Sequence, residues 1–180
     1  MFPTAIRYGA LSGAIVISVI IAGIVFANGP GQGHGFASQI FGYLVMIVAL
    51  SMIFLAIRDY RNTKLGGVIK FLPAFGLGLL VAAIAGVAYV IGWEMYLAAT
   101  NYVFMDNYVA QMIEAKRAAG VSGAEVGAYV AQLQQMQVSY RNPLFRVPMT
   151  FVEIFPVGLI IALISAAILR NPKVLPARAA

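Results

Sequence analysis

Two carboxylates stand where an apolar chain should not carry them. Glu153 lies inside the run Pro148–Arg170, PMTFVEIFPVGLIIALISAAILR, and Glu94 lies in Gly92-Trp93-Glu94-Met95-Tyr96, at the end of another apolar run. A bilayer core disfavours a charged side chain, so each is a candidate for proton transfer, cation binding or pairing with a cationic group. Pro156 follows Glu153 and removes an N–H from the helix, which loosens the carbonyl of Val152 as an extra oxygen ligand. Placed at similar depth, the two glutamates are candidates to share a proton or a cation, because like charges held close do not both ionise easily. The structural alternative is a Glu–Arg pair. Arg146 precedes Glu153 by seven residues, on nearly the same helix face, and Arg141 is close in sequence. Either arginine, paired with a glutamate at a membrane rim, would anchor neighbouring elements and need no activity.

Other chemistry is sparse. There is one histidine, His34, in the glycine-rich turn Asn28–Gly35 (NGPGQGHG), and there is no cysteine. A lone loop histidine does not make a metal site, which needs clustered ligands. No H-E-x-x-H, G-x-S-x-G or phosphate-loop pattern occurs. The expectation is therefore no enzyme, no metal and no cofactor. The formal net charge of +6 does not point to nucleic acid, because the basic residues sit at the ends of apolar runs.

The elements that must position the glutamates are membrane helices. The chain is 62% hydrophobic and 10% charged, far below the ~25% charged residues of soluble domains. Four spans are predicted, at about Ala5–Ala27, Phe36–Ile57, Phe71–Tyr96 and Pro148–Arg170. The first run is too long for the hydrophobic region of a signal peptide and reads as a retained helix. Gly9 and Gly13 on the first span, and Gly78 and Gly86 on the third, form small-residue stripes that allow close helix approach. Trp93 and Tyr96 read as an interfacial aromatic belt. Between the third and fourth spans, residues 97–147 read as an insertion of two amphipathic helices. One carries Met105, Tyr108, Val109, Met112 and Ile113 on a face and stops at Gly120; the other starts at a Ser122/Glu125 capping box and carries Tyr129, Leu133, Met136 and Tyr140. The domain reading is one unit: spans at 1–96, the insertion at 97–147, and the last span with a basic tail at 148–180.

Arg58, Arg61, Lys64 and Lys70 form the densest basic cluster and are candidates for contact with anionic lipid headgroups. With Arg7 and the tail residues Arg170 and Lys173, they place both termini in the cytoplasm and make the insertion a periplasmic hairpin of a bacterial inner-membrane protein. A weak internal repeat pairs Arg7-Tyr8, Gly13 and Gly23 with Lys70-Phe71, Gly76 and Gly86.

Several segments resemble one bacterial family: Gly42-Tyr43 through Ala49-Leu50, Ile57-Arg58-Asp59-Tyr60-Arg61, Gly66-Gly67, Asn142-Pro143-Leu144-Phe145, and above all Thr150–Leu159 (TFVEIFPVGL). They look like domain-of-unknown-function family 4199. The resemblance covers nearly the whole chain, with Glu153 and Pro156 on the family pattern and Glu94 at a further matching position. It implies four spans with an insertion before the last and an inner-membrane location, without an established activity. The functional expectation is a non-enzymatic, all-α membrane bundle that acts as an accessory or scaffold subunit. Its partners would be membrane lipids and a second copy or another membrane protein, met through the small-residue stripes and the hairpin. The alternative is a small transporter or channel, for a proton-coupled or lipid-linked substrate, that uses Glu94 and Glu153.

Overall fold

The structure, a computed structural model, describes residues 1–27, 36–120 and 123–176. Its helices in chain order are α1 (Phe2–Ala27), α2 (Phe36–Leu50), α3 (Met52–Lys64), α4 (Phe71–Ala99), α5 (Phe104–Ala118), α6 (Gly123–Arg141) and α7 (Pro143–Leu169). Helices α2 and α3 make one long segment with a turn at Ser51, whose hydroxyl donates back to the Val48 carbonyl at 2.6 Å. Four segments are long and apolar enough to cross a membrane: Phe2–Phe26, Ile40–Lys64, Phe71–Ala99 and Pro143–Leu169. The glycine-rich turn with His34, and Ser122 of the expected capping box, lie outside the described residues.

Two span boundaries differ most from the sequence expectation. The second span does not stop at Ile57 but runs on through Arg58, Asp59 and Arg61 to Lys64. The reason is a stripe of Ile53, Ala56, Ile57 and Arg61, all buried on one face. Helical spacing thus carries the buried face past the point where the other faces turn polar. The helix ends where Gly66 takes the left-handed conformation, with φ of 61°. The last span begins at Pro143 rather than Pro148. Asn142 accepts a hydrogen bond from the Leu144 N–H at 3.0 Å, and Pro143 fills the first helical position, where no donor is needed. The basic Arg146 therefore sits on α7 itself.

Helix α4 is the centre of the bundle. It packs against α1 on one side and α7 on another, and these are the two most extensive helix contacts. Its buried positions, Ala74, Leu77, Gly78, Val81, Ala82, Ala85, Gly86, Tyr89 and Trp93, are mostly small toward the tail and aromatic toward the hairpin. A Cβ added at Gly78 would stand 2.7 Å from the Cβ of Ala162, and one added at Gly158 would stand 2.7 Å from the Cβ of Ala82. Ascending numbers on α4 meet descending numbers on α7, so the pair is antiparallel and in backbone-close contact. Likewise Gly9 faces Ile84 and Gly92 faces Ile17, which makes α1 and α4 a parallel pair. Both stripes expected from the sequence are thus used inside the chain, where small residues let dispersion contacts replace a missing hydrophobic drive.

The hairpin α5–α6 closes on itself around buried Met105, Val109 and Leu133, with Tyr129, Met112 and Met136 packed on them. Its apolar faces meet each other. The turn from α4 into α5 is tight. The N–H of Tyr102 reaches the Leu97 carbonyl at 2.8 Å and that of Asn101 reaches Ala98 at 3.2 Å, the paired bonds of a Schellman ending with Asn in the left-handed position.

Candidate functional site

A buried ion pair ties α4 to α7 at the hairpin end of the bundle. Glu94, near the end of α4, accepts two bonds from Arg146 on α7: Nε to Oε1 at 2.7 Å and Nη2 to Oε2 at 2.6 Å. This is the fork-to-carboxylate geometry that gives a charge pair both strength and direction. Nη1 of Arg146 donates further to the Tyr140 carbonyl at 3.1 Å, at the end of α6. The guanidinium lies near two rings, 5.2 Å from the centre of Tyr102 and 5.7 Å from that of Tyr140. Tyr102 has a left-handed backbone, φ 57°, costly for a bulky residue, and its ring placement on the cation offsets that cost. Trp93 adds a bond from its indole N–H to the Tyr140 hydroxyl at 2.7 Å. Burial, first of all, pushes the Tyr140 hydroxyl above its ordinary range, against the pull of the Trp93 bond and of Arg146. A cavity of about 400 Å³ opens beside this cluster, lined by Leu97, Asn101, Tyr102, Met105, Tyr140 and Arg146 among others. Arg141 is not part of the clamp. It pairs with Asp106 of α5 at 3.6 Å on the hairpin surface, where both side chains are exposed.

The second carboxylate is in a different situation. Glu153 is exposed on α7, within the apolar span, on the flank beside α4. Its hydrogen-bond partner is the Tyr89 hydroxyl of α4, which donates to Oε2 at 3.4 Å. That is long for an O–H···O bond, whose usual range ends near ~3.0 Å. Of the two readings of the glutamates, the Glu–Arg pair is formed at Glu94, which is committed to Arg146, and neither arginine reaches Glu153. One heptad along α7 nearly restores the azimuth but moves the side chain ~10 Å along the axis, past the reach of the guanidinium. Pro156 is also exposed, inside the continuous helix α7. Among the described residues, no three histidine or acidic side chains gather as a metal site would need.

At the opposite end, the basic cluster divides. Lys64 and Lys70 are exposed and Arg58 is half-buried, but Arg61 is fully buried and cannot meet a headgroup directly. Its Nη1 donates to the carbonyls of Leu169 at 3.3 Å and Val174 at 3.0 Å, and its Nη2 to that of Leu175. Nε takes the Asn62 side-chain oxygen at 3.0 Å. Arg61 thus caps the C-terminal end of α7, where the helix dipole favours a cation, and ties down the strand of chain that follows. Sequence reasoning missed both this role and that of Tyr89. The available signal was periodicity: Arg61 falls four and eight residues after Ile57 and Ile53, and Tyr89 four residues before Trp93, each on the buried stripe of its helix.

Residues 7–171 match a family model described as "Protein of unknown function (DUF4199)". The chain belongs to this family. The match takes in most of the DUF4199 chain discussed above, from Arg7 on α1 through the clamp and Glu153 to the end of α7, and stops short of the strap residues Val174 and Leu175. No curated protein and no solved structure matches it.

Proposed function

We propose that this DUF4199 protein is a non-enzymatic subunit of the bacterial inner membrane, built to hold another membrane helix against the exposed face of α7. The observation that carries the reading is the exposed Glu153 in an apolar span. Ionisable groups in membrane helices normally face a bundle interior or a watery cavity, because exposure to lipid costs about 2.5–3.5 kcal/mol even on the gentlest scales. A lipid-facing carboxyl group is explained if the face is covered when the protein works. The positive-inside bias supports cytoplasmic termini and a periplasmic hairpin. The clamp and hairpin then serve as scaffold, fixing α7 against α4 so that its face is presented rigidly. Association through the glycine stripes is a poorer account, since Gly9, Gly13, Gly78 and Gly86 are each in contact with another helix of the same chain. A transporter in which Glu94 and Glu153 act together also has less support, since Glu94 is spent on Arg146.

The test is position-specific photocrosslinking in intact cells. Ile160 on α7 and Leu11 on α1 are both exposed, at 57% and 48%. A photoreactive residue at Ile160 is expected to give a discrete protein adduct, and the same residue at Leu11 none. Lipid adducts alone at both positions would defeat the proposal.

A further inference from the structure

We infer that the occupant of the α7 face is a spanning helix of a different protein that carries one lysine or arginine level with Glu153. The inference rests on the subunit reading above and adds the chemistry of the partner. It begins with what Glu153 lacks. Around it stand Tyr89 from α4 and, beyond, Glu94 from α4, Tyr140 from α6 and Arg146 on its own helix. Arg146 is already shared between Glu94 and the Tyr140 carbonyl, so it has no fork left to offer. The long bond from Tyr89 leaves most of the acceptor capacity of the carboxylate unused.

The rest of the exposed face supplies no counter-charge. Met149, Val152, Pro156, Ile160 and Leu163 surround Glu153 along α7, and all are apolar. Among the described residues, the exposed basic side chains stand toward the bundle ends: Arg7, Lys64, Lys70, Arg170 and Lys173 toward the tail end, Arg117 and Arg141 on the hairpin. A second copy in the same membrane orientation would therefore set Glu153 against Glu153 at the same depth, and like carboxylates in low dielectric repel. A basic group from another helix completes the site instead. It would form in lipid the kind of pair that Arg146 and Glu94 form at the rim. The depth is defined: Glu153 lies ten residues along α7 from Pro143, about 15 Å from the hairpin end of a helix about 40 Å long.

The test uses the full chain, labelled for energy transfer and reconstituted in phosphatidylcholine vesicles with synthetic leucine-rich spanning peptides. One peptide carries a single lysine a third of the way from one end; its control carries leucine there. Association is expected to be about tenfold or more stronger for the lysine peptide, a difference of ~1.4 kcal/mol. The preference should vanish in Glu153→Gln. Trp93 emission, read from the chain's single tryptophan, should stay unchanged in that variant and so report an intact bundle. Equal association of both peptides would overturn the charge argument while leaving helix docking in place. Glu153-dependent transfer between two copies of the chain, with neither peptide bound, would overturn it in favour of a homodimer. Loss of the Ile160 adduct in cells, by contrast, removes the subunit reading itself.

Discussion

Arg146 does at one point what three separate contacts would otherwise have to do. Its guanidinium joins α7 to α4 through Glu94 and to α6 through the Tyr140 carbonyl, and it seats the ring of Tyr102. Its side chain is 5% exposed and that of Glu94 is 27% exposed, so the pair sits closer to the buried than to the surface regime. Removing one partner of a buried pair strands the other, which costs about 3 kcal/mol at the low end of the usual range. Arg146→Met should lower stability by about that amount in detergent denaturation. The double change E94Q/R146M should recover a good part of it, because the stranded carboxylate is gone. A double variant no more stable than R146M alone would show that the two residues are not energetically coupled. Chemistry was legible at this scale only in part. A glutamate in Gly92-Trp93-Glu94 and an arginine just past Asn142-Pro143 announce a rim pair, but which acid the arginine takes depends on how α4 and α7 are aligned. Sequence distance favoured Glu153; the antiparallel register brings Glu94.

That register is set by small residues, and it belongs to the element scale. Gly78 against Ala162 and Gly158 against Ala82 hold the α4 and α7 backbones at a spacing that admits no further carbon atom. Gly78→Val should therefore separate the helices or break the pair, at a cost of about 1–3 kcal/mol typical of overpacking. Gly76, two residues away, has nothing within 4 Å of an added Cβ, and Gly76→Ala should cost nothing and gain up to about 1 kcal/mol of helix propensity. Melting both variants side by side in the same detergent checks the contrast. Two equal shifts would mean that glycine content, not contact, sets stability. The stripes were readable from spacing alone, because i, i+4 glycines in an apolar run have few other uses. Their partners were not, because nothing in a single helix says whether its close-packing face meets its own chain or another. The ends of α3 and α7 were misread for a related reason. Charge marks where solvent begins on most faces of a helix, but one buried face carried α3 on to Lys64, and a capping Asn142 with Pro143 started α7 early.

Over the whole molecule, the two ends are locked by different means, an ion pair beside the hairpin and a cation among carbonyls beside the tail. Arg61 is 0% exposed and its partners are the carbonyls of Leu169, Val174 and Leu175 and the side chain of Asn62. Hydrogen bonds to a charged donor contribute about 1.5–3 kcal/mol each. Losing even one should open the tail at least about tenfold more often. Trypsin cleavage after Lys173, which is exposed within that strap, should speed up by at least that factor in Arg61→Leu. An unchanged rate would mean the strap is held by something else. The same contact also orders events in time. Arg61 precedes Leu169 by 108 residues and Leu175 by 114. At a synthesis rate of roughly 5–20 residues per second, its acceptors are polymerised some 5–20 s after it. During that interval the guanidinium must be kept in water or among headgroups, with α3 drawn toward the membrane surface. The bundle is therefore sealed from its tail end last, by the arrival of the segment that follows α7.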